Sequence, residues 1–329
     1  MKKLYIGIDL HKRVQTWVII GESDHHKVST RTYPVTLEAL REAYTHALSF
    51  GDTMYALIEP VCGWIWVVRE LRSLGIEVHI SNPSKIRMIA DSLKKNDEED
   101  AYVLAKLLKI GNAYESYECS EATRKHRSLC RERCFLVRLR ASLKCRLESV
   151  VTRDGNHTFS LQAKNRSNII VTNDEVKIHQ KGIVLLDDLI KEVEKQMMLS
   201  TPDTTMKRLM TIPGIGPVTA QIICAEVGDF SLFKKPDHLA SFAGLVPKER
   251  SSGGKQRLGH ITHAGSSYLR FALIESAMRI RDTKETATLY SFYTRIKDKG
   301  GAMKARVALA RKLLVIMWHM IKKEQDYRV

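Results

Sequence analysis

Short runs of alternating apolar and polar positions open the chain. LYIGIDL (4–10), QTWVIIGES (15–23) and KVSTRTYPV (27–35) are rich in Ile, Val, Thr and aromatics and are separated by polar turns, the pattern of three strands. TLEALREAYTHALSF (36–50) has helical spacing with Thr36 as N-cap. MYALIEP (54–60) predicts a fourth strand, WIWVVRELRSLG (64–75) a helix ending at a glycine, and IEVHISN (76–82) a fifth strand. Helices are predicted from about Pro83 to Leu93 and from Asp97 to Ile110. Three consecutive strands read as a meander and the later alternation as parallel crossovers, so the first hundred residues predict a ribonuclease-H-like mixed sheet with strands one and four adjacent.

Beyond residue 118 the pattern turns helical. Residues 122–150 form a basic helix with a roughly heptad stripe through Leu129, Phe135, Leu136, Leu139, Leu143 and Leu147. Residues 151–180 are polar and give no element, and KGIVLLDDLIKEVEKQMML (181–199) predicts a second amphipathic helix able to pair with the first. IPGIGPVTA (212–220) sits between helical runs as in a helix-hairpin-helix, where Gly214 and Gly216 permit a tight turn whose N–H groups face a phosphate. Two tail helices, 266–282 and 302–323, are separated by a turn at KDKGG (297–301). The expected division is 1–118, 119–200 and 201–329: an α/β domain, a helical coiled-coil linker and a mostly helical domain.

Charge adds a partner. Lys and Arg number 53 against 37 acids, a formal net charge of +16. Such a surplus suits nucleic acid, through phosphate neutralisation and counterion release. The helix at 122–150 is the densest basic element, with Arg131 and Arg138 as candidate phosphate contacts. No run of about eighteen uncharged apolar residues suggests a membrane span, and no signal-peptide pattern opens the chain. The six cysteines make no paired Cys-x-x-Cys knuckle. His126, Cys130 and Cys134 share a helical face, but buried free thiols are the simpler reading, and a reducing cytoplasm is the expected compartment.

The chemistry is in four acids. Asp9 lies inside the first strand, where an acid is unfavourable unless something holds it. Glu59 ends the fourth strand. In KKNDEEDA, Asp97 and Asp100 are one helical turn apart, while Glu98 and Glu99 between them should face solvent or basic groups. Adjacent first and fourth strands would gather all four, and four clustered carboxylates need a divalent cation, for which Mg2+ suits oxygen ligands and phosphate substrates. A second candidate is ERSSGGKQRLGHITHAG, in which Lys248, Arg250, Lys255, Arg257, His260 and His263 surround Ser251 and Ser252. It reads either as a phosphate-binding loop or as a serine nucleophile among cations that stabilise a phosphoryl transition state.

The set IGIDLHK, ALIEP, SNPSK and KKNDEEDA resembles the N-terminal DEDD domain of the IS-one-ten group of insertion-sequence transposases, with its IS-eleven-eleven branch and the related Piv DNA invertases. Its D, E, D, D fall on Asp9, Glu59, Asp97 and Asp100, although EPVCGW replaces the Thr-Gly pair that often follows the Glu-Pro. IPGIG, FAGLVP, SSGGKQRLG, THAG and LR resemble the second conserved block of the same family. The resemblance implies a RuvC-like first domain and a recombinase whose serine becomes covalently joined to DNA. That serine falls on Ser252 counted from GLVP, or on Ser251 counted back from THAG. It also implies a homo-oligomer, donor and target DNA, a structured guide (bridge) RNA and a nucleoid-associated location. The rival readings are a metal-dependent junction-resolving nuclease and a nucleic-acid-binding regulator without chemistry.

Overall fold

Strand β1 (Lys3–Leu10) pairs antiparallel with β2 (Val14–Gly21) and parallel with β4 (Thr53–Ile58). The computed structural model of the chain describes residues 2–23, 26–61, 63–83, 96–153, 174–199, 204–249 and 257–328. With β3 (Ser29–Pro34) and β5 (Glu77–Ile80), the strands form one mixed sheet in the order β3-β2-β1-β4-β5. Strands one and four are neighbours, as the meander-then-crossover pattern predicts. The chain divides into two compact units, Met1–Glu118 and Cys119–Val329.

In the first unit, period-two alternation assigns each face of the sheet a partner. Leu4, Ile6, Ile8 and Leu10 of β1 point to one side with Ala56 and Ile58 of β4. There they share a core with Leu40 and Ala43 of α1 (Leu37–Leu48) and Val67 and Leu71 of α2 (Trp64–Ser73). Thr36 caps α1, its side chain accepting the Ala39 N–H at 3.2 Å. The other face is covered by α3 (Asp97–Lys109), whose Leu104, Leu107 and Leu108 pack on Leu57. Helix and strand touch backbone to backbone at Gly7. A Cβ built there would stand 1.8 Å from the Ala101 carbonyl oxygen and 2.6 Å from the Ala105 nitrogen.

The second unit begins with a long antiparallel hairpin, α4 (Glu121–Arg153) and α5 (Asp174–Met198). Its direction follows from the ion pairs: Arg133 meets Glu194, Arg140 meets Asp187 and Arg153 meets Glu175. Next come α6 (Thr204–Leu209), α7 (Pro217–Val227), α8 (Pro236–Phe242), the short strands β6 (Pro247–Glu249) and β7 (Leu258–Ile261), α9 (Ser267–Arg279), α10 (Ala287–Gly300) and α11 (Ala302–Lys322). Leu309, Leu313 and Met317 of α11 sit in a core with Ile223, Leu239 and Leu273. Cys130, Cys134 and Met197 of the long hairpin join the same core.

Three expectations are corrected. The second hairpin helix starts at Asp174, not 181: Val176, Ile190 and Met197 are buried and Ile183 is half-buried, a heptad whose first apolar residue stands alone among polar ones. The tail holds three helices, not two. In α10 only Leu289 is fully buried and the N-cap Thr286 makes no side-chain capping bond, so no apolar stripe signalled it; the turn expected over 297–301 is reduced to Gly301, at φ 85°. The glycine-rich basic stretch contains an antiparallel β6–β7 pair of three and four residues, too short for a periodic signal. The helix expected over about 83–93 lies outside the described residues, apart from Pro83. Among the described residues no helix is long and apolar enough to cross a membrane.

The Gly7 contact makes a testable contrast. Gly7→Ala places a methyl group inside the backbone of α3 and should cost about 2–4 kcal/mol in urea unfolding followed by circular dichroism. Gly75→Ala, at φ 89° with nothing within 4 Å of the added carbon, should cost only about 1 kcal/mol of backbone strain.

Candidate functional site

Gly7 faces α3, so Asp9, two residues on, faces the same way. Ile8 pairs in register with Ile58, and the Glu59 N–H reaches the Ile8 carbonyl at 3.4 Å, extending the pairing by one residue. Leu57 faces α3, so Glu59 does too, beside Asp9 at the ends of parallel strands. Asn96 caps α3 by accepting the Glu99 N–H at 2.7 Å, which starts the helix at Asp97 and sets Asp97 and Asp100 one turn apart. Four acids in that first turn also suit the positive end of the helix macrodipole. Glu98 and Glu99 are drawn aside to Lys27, at 2.8 and 3.6 Å, the basic neighbour expected for them.

Asp9 is the buried member of the group, its side chain 8% exposed, while that of Asp97 is 56% exposed. Burial pushes the Asp9 carboxyl up to about 6; nearby His11 opposes the rise, and the charges of Asp97, Asp100 and Glu59 add to it. His11 was not anticipated as a site residue. It follows β1 directly, and its N–H donates to the Val14 carbonyl at 2.9 Å in the turn into β2. Its Nε2 lies 3.1 Å from Asp9 Oδ2 and 3.4 Å from Asp97 Oδ1. Burial works against the charged ring, but Asp9 and Asp97 outweigh it and raise the His11 pKa. The one legible signal was the Asp-x-His spacing at a strand end, which puts both side chains on one face.

Among the described residues, Asp9, His11 and Asp97 are the one group of metal-capable side chains whose ligand atoms all lie within 4.8 Å of one another. A buried carboxyl among like charges, with two oxygens and a nitrogen converging, suits a divalent cation. His126, Cys130 and Cys134 form no such group. Burial pushes Cys130 up to about 12 and Cys134 in the same direction, as for inert thiols.

The residues expected to meet nucleic acid have different fates. Arg131 donates to Glu226 from Nε at 2.7 Å and from Nη2 at 2.9 Å, and the Glu226 side chain is only 1% exposed. Arg138 lies over the rings of Tyr268 and Phe271, at 5.0 and 5.8 Å. Gly214 adopts φ 89° and Gly216 is the N-cap of α7, with open space where a side chain would stand. Lys248 is exposed on β6 and Arg257 is exposed beside β7. Arg250, Ser251, Ser252 and Lys255 lie outside the described residues.

Sheet, helices and acid cluster define a class of protein, an α/β chain with a site suited to a divalent cation, and comparison with known proteins narrows it. Residues 6–153 match the profile of a DEDD-type transposase, and residues 206–294 that of the transposase IS116/IS110/IS902 family. A probable family 20 transposase of Pseudomonas aeruginosa is 27% identical over 98% of both chains. The transposase for insertion sequence element IS1111A of Coxiella burnetii is 26% identical over 98% of this chain and 91% of its own. The pilin gene-inverting protein of Moraxella bovis is 28% identical over 99% and 98%. The chain thus carries a DEDD-type transposase domain and an IS116/IS110/IS902-family transposase domain, and it is a DNA transposase or recombinase.

Two predictions follow the electrostatics. Asp9 binds its proton more tightly folded than unfolded, so without metal the folded state loses stability as pH rises from about 4 to about 6, and the full cost persists above. Asp9→Asn in EDTA should therefore raise stability at pH 7.5, by at most about 3 kcal/mol, with the gain vanishing near pH 4 in urea titrations. Arg131→Ala strands a buried carboxylate and should cost about 2–3 kcal/mol, below the roughly 3–5 of a fully buried pair because Arg131 stays half exposed. The double variant with Glu226→Gln should recover part of that loss.

Proposed function

We propose that this transposase cuts and rejoins the DNA of an insertion sequence through a serine–DNA covalent intermediate at a site assisted by Mg2+. The observation that carries the reading is the gathering of Asp9 and Glu59 on the sheet face that α3, with Asp97 and Asp100, covers. The sheet order and the covering helix support a ribonuclease-H-like, RuvC-type assignment for the first unit. Asp9, Glu59, Asp97 and Asp100 are the residues that would hold the cation. When bound, it would polarise the scissile phosphate and stabilise the departing oxygen.

The serine does the covalent work in this reading. Ser252, or Ser251 in its place, attacks the phosphorus: a bond from Oγ to phosphorus forms, the bond to the leaving nucleotide oxygen breaks, and the hydroxyl proton leaves as that oxygen gains one. The new phosphodiester conserves the energy of the old one, so a second nucleotide hydroxyl can reverse the step and rejoin strands without an external energy source. Lys248, Arg250, Lys255 and Arg257 supply positive charge around the phosphate. Residues 119–200 serve as the helical linker and 201–329 as the serine-bearing domain. The turn at Gly214 and Gly216 acts as a helix-hairpin-helix contact to the backbone of DNA, and Arg138 adds to the basic surface. The charge of +16 accommodates donor DNA, target DNA and a structured guide RNA on a homo-oligomer in the cytoplasm, at the nucleoid.

Incubation with nicked DNA carrying the element's ends, then denaturing electrophoresis, tests the mechanism. The wild type should yield a covalent protein–DNA adduct dependent on Mg2+. Asp9→Ala should abolish cleavage, and Ser252→Ala should abolish the adduct. Cleavage that survives Ser252→Ala and Ser251→Ala without an adduct would assign the attack to water, as in a junction-resolving nuclease. Strand breakage unaffected by Asp9→Ala would remove the metal assignment.

A further inference from the structure

The carboxylate group contains a nitrogen for which an all-oxygen site has no use. His11 Nε2 lies 3.1 Å from one oxygen of Asp9 and 3.4 Å from one oxygen of Asp97. Adjacent ligands on an octahedral cation with bonds near 2.1 Å stand about 3 Å apart. Both nitrogen–oxygen distances are therefore close to those between ligands of one ion, and the ligand atoms of the three residues all lie within 4.8 Å of one another.

The surroundings hold the ring in that place. Its backbone N–H is fixed to the Val14 carbonyl in the β1–β2 turn, so the residue does not wander with a loop. The Asp-x-His spacing at the end of β1 aims both side chains at α3. The His11 side chain is 50% exposed, which leaves a path for a hydrated cation and for a phosphate oxygen on its open side. In the metal-free protein the same nitrogen serves Asp9 and Asp97 as a hydrogen-bonding partner, and the raised His11 pKa has that origin. One imidazole thus has two possible relations to the ion. It can be a competitor that the ion displaces, or a ligand that the ion takes over.

We propose that His11 is an inner-sphere ligand of the cation held by Asp9 and Asp97, and that its nitrogen makes the site prefer Mn2+ to Mg2+. This rests on the reading of the acids as a metal site. Spacing favours the ligand over the competitor, since displacement would need the ring to leave a position fixed by both the turn and the two carboxylates. The preference follows from chemistry. Mg2+ favours oxygen and keeps its waters, whereas imidazole nitrogen suits the transition metals, and Mn2+ accepts an octahedral mixture of nitrogen and oxygen.

The test uses the full chain and Mn2+ as probe. Binding is titrated by electron paramagnetic resonance, Mg2+ competition gives the preference, and pulsed resonance on bound Mn2+ reads directly bonded nitrogen. The wild type should show one histidine-type nitrogen coupling. His11→Ala should lose it, bind Mn2+ at least tenfold more weakly and change Mg2+ affinity much less. Bound Mn2+ with no nitrogen coupling, or Mn2+ affinity unchanged or increased in His11→Ala, would overturn the ligand role while leaving the metal site intact. No Mn2+ bound by wild type, or bound Mn2+ unaffected by Asp9→Asn, would overturn the metal reading and this one with it. Absence of the nitrogen signal in unaltered protein overturns the ligand role even if the variant folds poorly, and a signal that persists in folded His11→Ala does so as well.

Discussion

The first unit depends on one close approach, the backbone of α3 lying on the backbone of β1 at Gly7. A side chain there would collide with the Ala101 carbonyl, so the contact exists only because the residue is glycine. It fixes the height of α3 above the sheet and its position along β1. Leu104, Leu107 and Leu108 then fall on Leu57, and the N-terminus of the helix falls over the strand end that carries Asp9. Burial on the far face, where α1 and α2 cover the other side of the sheet, gives the strands something rigid to press against. The geometry of the acids is a consequence of packing that involves none of them.

The charge of the second unit works differently from a plain basic surface. Arg133, Arg140, Arg146 and Arg153 of α4 all meet acids of α5, and Arg131 is held by the buried Glu226. These guanidinium groups set the register of the helical hairpin and tie its base to the C-terminal core. A phosphate would have to compete with a carboxylate already in place. Lys248, on β6, is exposed to solvent. Density of charge along a sequence and availability of charge on a surface are separate quantities.

That distinction explains what could be read in advance. The five strands, the first two helices and the Asp97–Lys109 helix were legible because burial on one or both faces writes a period into the residues. The meeting of Asp9 with Glu59 was legible because strand order follows from the alternation of elements. The pairing of Arg131 was not, since Glu226 lies 95 positions away in sequence and nothing local marks it as buried. Helix α10 escaped because its packing rests on few residues, and β6 and β7 because a strand of three or four residues carries no period. His11 escaped because it reads as part of a turn; its partners are defined by where α3 lands.

The cost of Asp9 gives the site its direction. A carboxylate buried among other acids is held there against its own solvation, and the surrounding fold supplies the energy. Such a group gains more from a cation than an exposed one would, because the ion removes the repulsion and restores what burial took away. Asp97, largely exposed, loses little when the ion departs. In the proposed metal site the pair would combine a fixed, buried ligand with an accessible one on the first turn of a helix. An ion held there would be bound by the buried Asp9 on the sheet side, leaving the exposed side to a phosphate oxygen. The asymmetry comes from the fold: one acid belongs to a central strand and the other to a helix N-terminus, and Gly7 sets the distance between the two elements.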